Sequence, residues 1–309
     1  LFRSSIQTEL TTDPEGGMRC FFRVYNDLLI RGYSMKEAAV SILLPLDYKD
    51  PEGLLKCWME SVGNLCEKKK VRVLGGHTEF SRKVETGVVT ISGRGERRKS
   101  FPSVQGENVE NWANEGNWEN EENRENKENG DNGENEKNEK NEKNGDIVMV
   151  GLAGAAGVRK EIFTNRERLE RHLPRYFIEE AQLFGAEYDL SDPLKKALKL
   201  GGYAPFKLSD RGVYGALWEY GQSQLLGMQV EQDLILTEQH LIEICEILER
   251  NPYEIDSLGG FLITVKAGEG EMFCDELEAQ GVEAQVIGRW MEGRDRVILR
   301  GEEKRFLTP

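Results

Sequence analysis

Residues 104–145 read VQGENVENWANEGNWENEENRENKENGDNGENEKNEKNEKNG and carry twelve Glu, one Asp, four Lys and one Arg, a net charge of −8. Asn, Glu and Gly dominate, so the stretch offers almost no apolar area to offset the entropy of ordering a chain. A disordered, solvated insert is predicted, and it divides the 309 residues into two halves of ordinary domain size. The whole chain carries −14, so the halves together hold −6. That balance gives no reason to expect a nucleic-acid or anionic-membrane partner, which would favour clustered Lys and Arg. The longest apolar run, Ile147 to Val158, is Gly-rich and stops at Arg159-Lys160, too short to span a bilayer. No signal peptide is visible. Five cysteines without a CxxC pair point to a reducing, cytoplasmic compartment.

Both halves alternate helical and strand patterns, so the class is α+β. Asp50-Pro51 starts a helix whose apolar face is Leu54, Leu55, Trp58, Met59, Val62, Leu65 and Cys66. Lys68 to Lys70 close it at the negative end of its dipole. Val71 to Leu74 reads as a short strand broken by Gly75-Gly76, and Gly87 to Ser92 as another. In the second half a strand at Asp146 to Val150 leads into the loop GLAGAAG, followed by helices around 166–184, from Ser191, and over 213–225. Thr237 is placed to cap a helix with the buried stripe Leu241, Ile244, Cys245 and Leu248. Strand 261–265, helix 270–280 with Gly281 beyond it, and strands 283–287 and 296–300 complete the pattern.

Four stretches could carry chemistry. Asp13, in Thr11-Thr12-Asp13-Pro14, is an acid at a strand end, a position suited to Mg²⁺, though Asp-Pro is also an ordinary turn starter. Asn26-Asp27 heads an apolar segment and could equally be a helix N-cap. Gly75-Gly76-His77-Thr78-Glu79 would let backbone N–H groups approach a phosphate, or form a simple turn. The fourth is Lys207 to Gly212, with Asp210, just before a helix. Three His without HxH or HxxxH spacing argue against zinc. GLAGAAG lacks the GxGxxG spacing, and neither a P-loop nor a GxSxG elbow occurs.

In this order, and with VRVLGGHTEFSRKVETGVVTISGRG, GVYGALWEYG, ICEILERNPYEIDSLGGFLIT and VIGRWMEGRDRVILRGEEKRFL, the chain resembles the aminoimidazole ribonucleotide synthetase-related (PurM-like) superfamily. It looks closest to the branch of hydrogenase maturation factor HypE. The resemblance covers nearly all of the chain except the insert. It implies a two-domain PurM-like architecture: an N-terminal α/β dimerisation and ATP-binding domain at 1–100, truncated at its start, the insert at 101–145, and a C-terminal α+β domain at 146–309. It implies a cytoplasmic homodimer that uses ATP and Mg²⁺ to activate or phosphorylate a small-molecule substrate. Asn26, Asp27, Gly75, Gly76, His77, Thr78 and Glu79 would then bind the nucleotide, and Asp13, Asp27 and Asp210 the metal. The family's HD-x-T-x-GG pattern departs here. Matched without gaps, its Asp falls on Lys207 and one Gly on Arg211, so Mg²⁺ affinity should fall, and Asp210 substitutes only by a local shift. The ending RFLTP has no Cys after Cys274, unlike the maturation factor's C-terminal Cys tail. A catalytically degenerate scaffold or partner-binding protein is the alternative expectation.

Overall fold

The computed structural model describes residues 1–98, 145–208 and 210–308. The expected insert lies outside the described residues except for Gly145, whose carbonyl accepts from Trp290 N at 2.9 Å. The first half is built from β1 (Phe2–Leu10), α1 (Gly16–Ile30), β2 (Tyr33–Pro45), α2 (Pro51–Lys69), β3 (Arg72–Ser81) and β4 (Val88–Arg97). They form a four-stranded sheet in the order β1-β4-β2-β3, antiparallel except for the β2–β3 pair, which α2 connects. Parallel neighbours need such a crossover. Asp50 caps α2 as the sequence predicts, its Oδ1 accepting from Gly53 N at 2.9 Å. Leu54, Trp58, Val62 and Cys66 turn inward, and Lys70 ends the helix in the left-handed conformation.

The second half contributes β5 (Asp146–Val150), α3 (Ala155–Glu170), α4 (Arg175–Ala181), α5 (Ser191–Lys199), β6 (Tyr203–Lys207), α6 (Gly212–Gln224), β7 (Gly227–Glu231), α7 (Gln239–Ile247), β8 (Phe261–Val265), α8 (Gly270–Glu278), β9 (Ala284–Met291), β10 (Arg296–Arg300) and β11 (Glu303–Phe306). Its seven strands run in the order β11-β10-β7-β9-β5-β8-β6. The interior strand β5 is apolar from Ile147 to Val150 because both its faces are covered. Ile147 and Met149 join α6 in one core, while Val148 and Val150 join α5 and α8 in another. A third cluster holds α3, α4 and α7 together.

Four local expectations are corrected. Gly75-Gly76 does not break the strand. β3 continues to Ser81, and the pairing skips Leu74, since Ala38 faces Val73 and Ala39 faces Gly75. The glycines therefore follow a bulge on an edge strand. A Cβ on Gly76 would lie 2.2 Å from the Val40 carbonyl oxygen, whereas Gly75 has open space. Asn26-Asp27 is no N-cap, because α1 begins ten residues earlier, at Gly16. The helix expected over 166–184 is two helices, the first starting inside GLAGAAG at Ala155. There Gly154 has φ +72°, and a Cβ on it would meet the Pro252 carbonyl oxygen at 2.6 Å. Thr237 does not cap α7; its hydroxyl donates to the Ala153 carbonyl at 3.4 Å.

Candidate active site at the junction of the two halves

Helix α1 belongs to both halves. Phe21, Phe22, Val24 and Leu28 enter the first core, and Leu29 enters the second half's core beside α5 and β8. The helix is buried on nearly every side, and one stripe on it is charged. Glu15, Arg19 and Arg23 recur every four residues and share a face. Arg19 is fully buried, with Nη1 2.6 Å from Asp13 Oδ2 and Nε 3.3 Å from Glu9 Oε1. Arg23 Nε lies 3.0 Å from Glu9 Oε2, and its Nη2 pairs with Asp256 of the second half. Glu15 pairs with Arg159 on α3 and accepts from the Tyr188 hydroxyl at 3.1 Å. Lys160 reaches back to Glu9 at 3.3 Å and donates to the Leu10 carbonyl at 3.1 Å. Lys69, at the end of α2, pairs with Asp189.

The C-terminal half of α1 packs against β6 and the segment before α5. Asn26 Nδ2 donates to the Tyr188 carbonyl at 2.7 Å, and Leu190 N donates to Asn26 Oδ1 at 3.4 Å. Asp27, buried, lies with Oδ1 2.9 Å from Lys207 Nζ, at the end of β6, and 3.2 Å from an Arg31 Nη. A cavity of 30 Å³ opens there, lined by Gln7, Arg23, Asn26, Lys207 and Asp210 among others, with room for about two waters. A wider cleft of 330 Å³, lined largely by Gly151, Leu152, Ala155, Leu183 and Leu258, shares Leu258 and Gly259 with it.

These pairings set the protonation states. Burial pushes Glu9 upward, but Arg23, Arg19 and Lys160 outweigh it and hold the carboxyl below its ordinary value. Burial likewise opposes the Asp27 charge, and Lys207, Arg31 and the Ser5 hydroxyl outweigh it. Burial works against Arg19 and Arg23, yet their carboxylate partners raise both above the usual guanidinium value. Tyr188 is pushed up to about 12 by burial and by Glu15. Glu9, Asp27, Arg19 and Arg23 are therefore ionised at neutral pH, and Tyr188 is neutral.

The structure brings some of the expected site residues together and separates others. Asp13 lies three residues beyond the end of β1, in the turn before α1, and both its oxygens are engaged: Oδ1 accepts from Glu15 N at 2.8 Å and Oδ2 holds Arg19. Asp27 pairs with Lys207, and Lys207 and Asp210 both line the 30 Å³ cavity. Gly75 to Glu79 lie on the exposed edge strand β3, where His77 Nε2 is 3.5 Å from Glu79. No side-chain hydrogen bond or ion pair joins them to Asp13 or Asp27 among the described residues. Sequence reasoning missed Glu9, Arg19, Arg23, Arg159, Lys160 and Asp256. The four-residue spacing of Glu15, Arg19 and Arg23 within an apolar segment was the available signal for the helix stripe; nothing local marks its partners.

Mg²⁺ needs several oxygen ligands in near-octahedral geometry. Among the described residues no group of three or more His, Cys, Asp or Glu is arranged to hold a metal, each Asp13 oxygen already has a donor, one of them the Arg19 guanidinium, and Asp27 faces two cations. The side chains as arranged do not fit the metal that the resemblance implies.

Two unequal sheets joined through a shared N-terminal helix, with their charged side chains meeting at that helix, constitute the PurM-like two-domain fold. Solved structures with this fold include hydrogenase maturation protein HypE in its complex with HypF (16% identity, TM-score 0.69, covering 99% of this chain and 90% of that one). HypE in complex with ATP is similar at 13% identity and TM-score 0.67, over 100% of this chain and 84% of that one. Thiamine monophosphate kinase from Aquifex aeolicus is similar at 17% identity and TM-score 0.59, over 99% and 89%. The sequence matches no protein-family model and no curated protein.

Proposed function

We propose that this chain is a catalytically degenerate PurM-like protein, a dimeric scaffold or partner-binding protein in which ion pairs replace the metal and nucleotide at the domain junction. The observation that carries this reading is the Lys207 ammonium 2.9 Å from Asp27, a positive charge where a Mg²⁺ site would need an open carboxylate. Further support comes from the pairing of Asp13 with the Arg19 guanidinium, which neutralises its charge, while the Glu15 amide engages its other oxygen. The uncovered face of the first sheet supports dimerisation: Phe2, Ile6 and Leu10 of β1 are exposed apolar side chains on one side of one strand. A structure of HypE with HypF makes a protein partner a natural role for the same fold. The free cysteines agree with a cytoplasmic location, and no helix among the described residues is long and apolar enough to cross a membrane. We retain 1–100, 101–145 and 146–309 as the domain division.

Two observations favour a second reading, an ATP/Mg²⁺-dependent enzyme acting on an unidentified small molecule. Fold neighbours include an ATP complex and a kinase, and the 330 Å³ cleft beside the junction has the size of a small-molecule site. In that reading Asn26, Asp27 and Gly75, Gly76, His77, Thr78 and Glu79 face the nucleotide, and Asp13, Asp27 and Asp210 the metal. Isothermal titration of the full chain with ATP and Mg²⁺ separates the two. The degenerate reading expects no saturable heat, and micromolar binding lost in Asp27→Asn would establish the enzyme reading instead.

A further inference from the structure

The arginines near the end of the chain are unlike those of the junction. Arg19, Arg23 and Arg159 each face a carboxylate. Among the described residues no ion pair joins Arg294, Arg296 or Arg300 to an acid. Arg296 and Arg300 lie on β10, and Arg294 in the turn before it. Arg296 Cζ sits 5.2 Å from the centre of the Trp218 ring on α6, and its Nε is buried with no hydrogen-bond partner. A Cβ on Gly221 of α6 would come within 2.4 Å of that nitrogen, so the missing side chain there is what lets the guanidinium rest against the helix. Burial, and then Arg294 beside it, pull this guanidinium below its usual pKa. Arg305 extends the row. It faces Ile298 across the β10–β11 pair and so shares the face of Arg296 and Arg300. It pairs with Glu303 at 3.3 Å, but both side chains are exposed, and such a pair is weak. Burial and Tyr253 push the Tyr214 hydroxyl on α6 up to about 12, and Arg305 and Arg300 are close enough to oppose them. Tyr214 and Trp218, four residues apart, share a helix face, so the arginine row borders an aromatic edge of α6.

A partly desolvated guanidinium held in place without an anion is unfavourable, and a bound carboxylate would offset it. The spacing narrows the ligand. Arg296 and Arg300 are about 13 Å apart along the strand, and Arg305 stands midway between them, one strand over. Alternate side chains of an extended chain repeat at about half that distance. Guanidinium forks match carboxylates in bidentate pairs. The chain as a whole carries −14, which opposes a long polyanion such as a nucleic acid more than a short acidic segment. We propose that the face formed by Arg296, Arg300 and Arg305 beside Tyr214 and Trp218 docks an extended acidic segment of a partner protein, its alternate carboxylates meeting the three guanidinium groups. This face lies at the β11 edge of the seven-stranded sheet, whereas Lys207 of the junction ends β6 at the opposite edge. The inference therefore stands whichever reading of the junction holds.

The test uses the full chain at about 0.15 M salt, where attraction between distant surface charges is screened. The probe is a fluorescein-labelled peptide of alternating Glu and Thr, about ten residues long so that it spans the row, and binding is read by fluorescence anisotropy. Labelled oligothymidylate of equal charge is the comparison. Saturable peptide binding is expected, weakened by on the order of tenfold in Arg296→Gln and likewise in the double variant Arg300→Gln with Arg305→Gln. Arg82→Gln, which removes the same charge from an exposed position in the first half, should leave binding unchanged. Thermal unfolding checks that each variant folds, and the double variant, confined to exposed side chains, keeps the test decisive if Arg296→Gln does not. No saturable peptide binding by the unaltered chain would overturn the proposal, as would binding that the folded variants leave intact or that Arg82→Gln weakens equally. Tighter binding of oligothymidylate, lost in the same variants, would assign the face to single-stranded nucleic acid and overturn it too.

Discussion

Replacing Arg19 by Met would expose how much the buried charges of the junction depend on one another. Met has a similar volume and favours helix, so the change removes a charge without opening a large cavity. Glu9 keeps Arg23 at 3.0 Å and Lys160 at 3.3 Å. Asp13 keeps only its hydrogen bond from the Glu15 amide, while its side chain stays 6% exposed. Stranding one member of a buried pair costs roughly 3–5 kcal/mol. At about 2–4 °C per kcal/mol for a domain of this size, Tm should fall by roughly 6–20 °C. Thermal unfolding followed by circular dichroism reads this directly, with the exposed pair of Lys56 and Glu60 as a control that should not move. Adding Asp13→Asn to Arg19→Met should restore part of the loss, because a neutral amide no longer buries an unpaired charge. Arg19→Lys should not restore it, since a point ammonium cannot bridge two carboxylates as the guanidinium fork does. A loss below about 1 kcal/mol for Arg19→Met, or a double variant no more stable than the single one, would refute the account.

Gly76→Ala should weaken the β2–β3 pairing, because the new Cβ would sit 2.2 Å from the Val40 carbonyl, whereas Gly75→Ala meets nothing; hydrogen exchange of β3 amides would show protection lost in the first variant alone. Acid should loosen the junction. Glu9, Asp27 and Asp189 all have carboxyl groups held below the ordinary values of 4.5 and 3.8, so their contribution is complete above those values and is lost as pH falls through the lower folded ones. Tm should be level from neutral pH to about 5 and fall below about 4, with a shallower fall in Asp27→Asn; a Tm unchanged down to pH 3 would contradict the assignment.

Local pattern determined much of this chain. The face Leu54, Trp58, Val62 and Cys66 marked α2 because helical spacing alone decides which residues turn inward. The apolar run Ile147 to Val150 marked an interior strand, since burial on both faces leaves no alternation to write. The ordered motifs carried the two-domain resemblance, and the fold agrees with it. Asp13 was legible as an acid just beyond the first strand, and it lies in the turn between β1 and α1. The edge-strand conformation of Gly75 to Glu79 was not, because a Gly-Gly pair signals a turn and a bulge alike, and only pairing with β2 distinguishes them. Nor could the sequence say which charges meet. Asp27 and Lys207, or Arg23 and Asp256, are brought within bonding distance by the packing of α1 on the second sheet, and no local periodicity records a contact between residues so far apart along the chain.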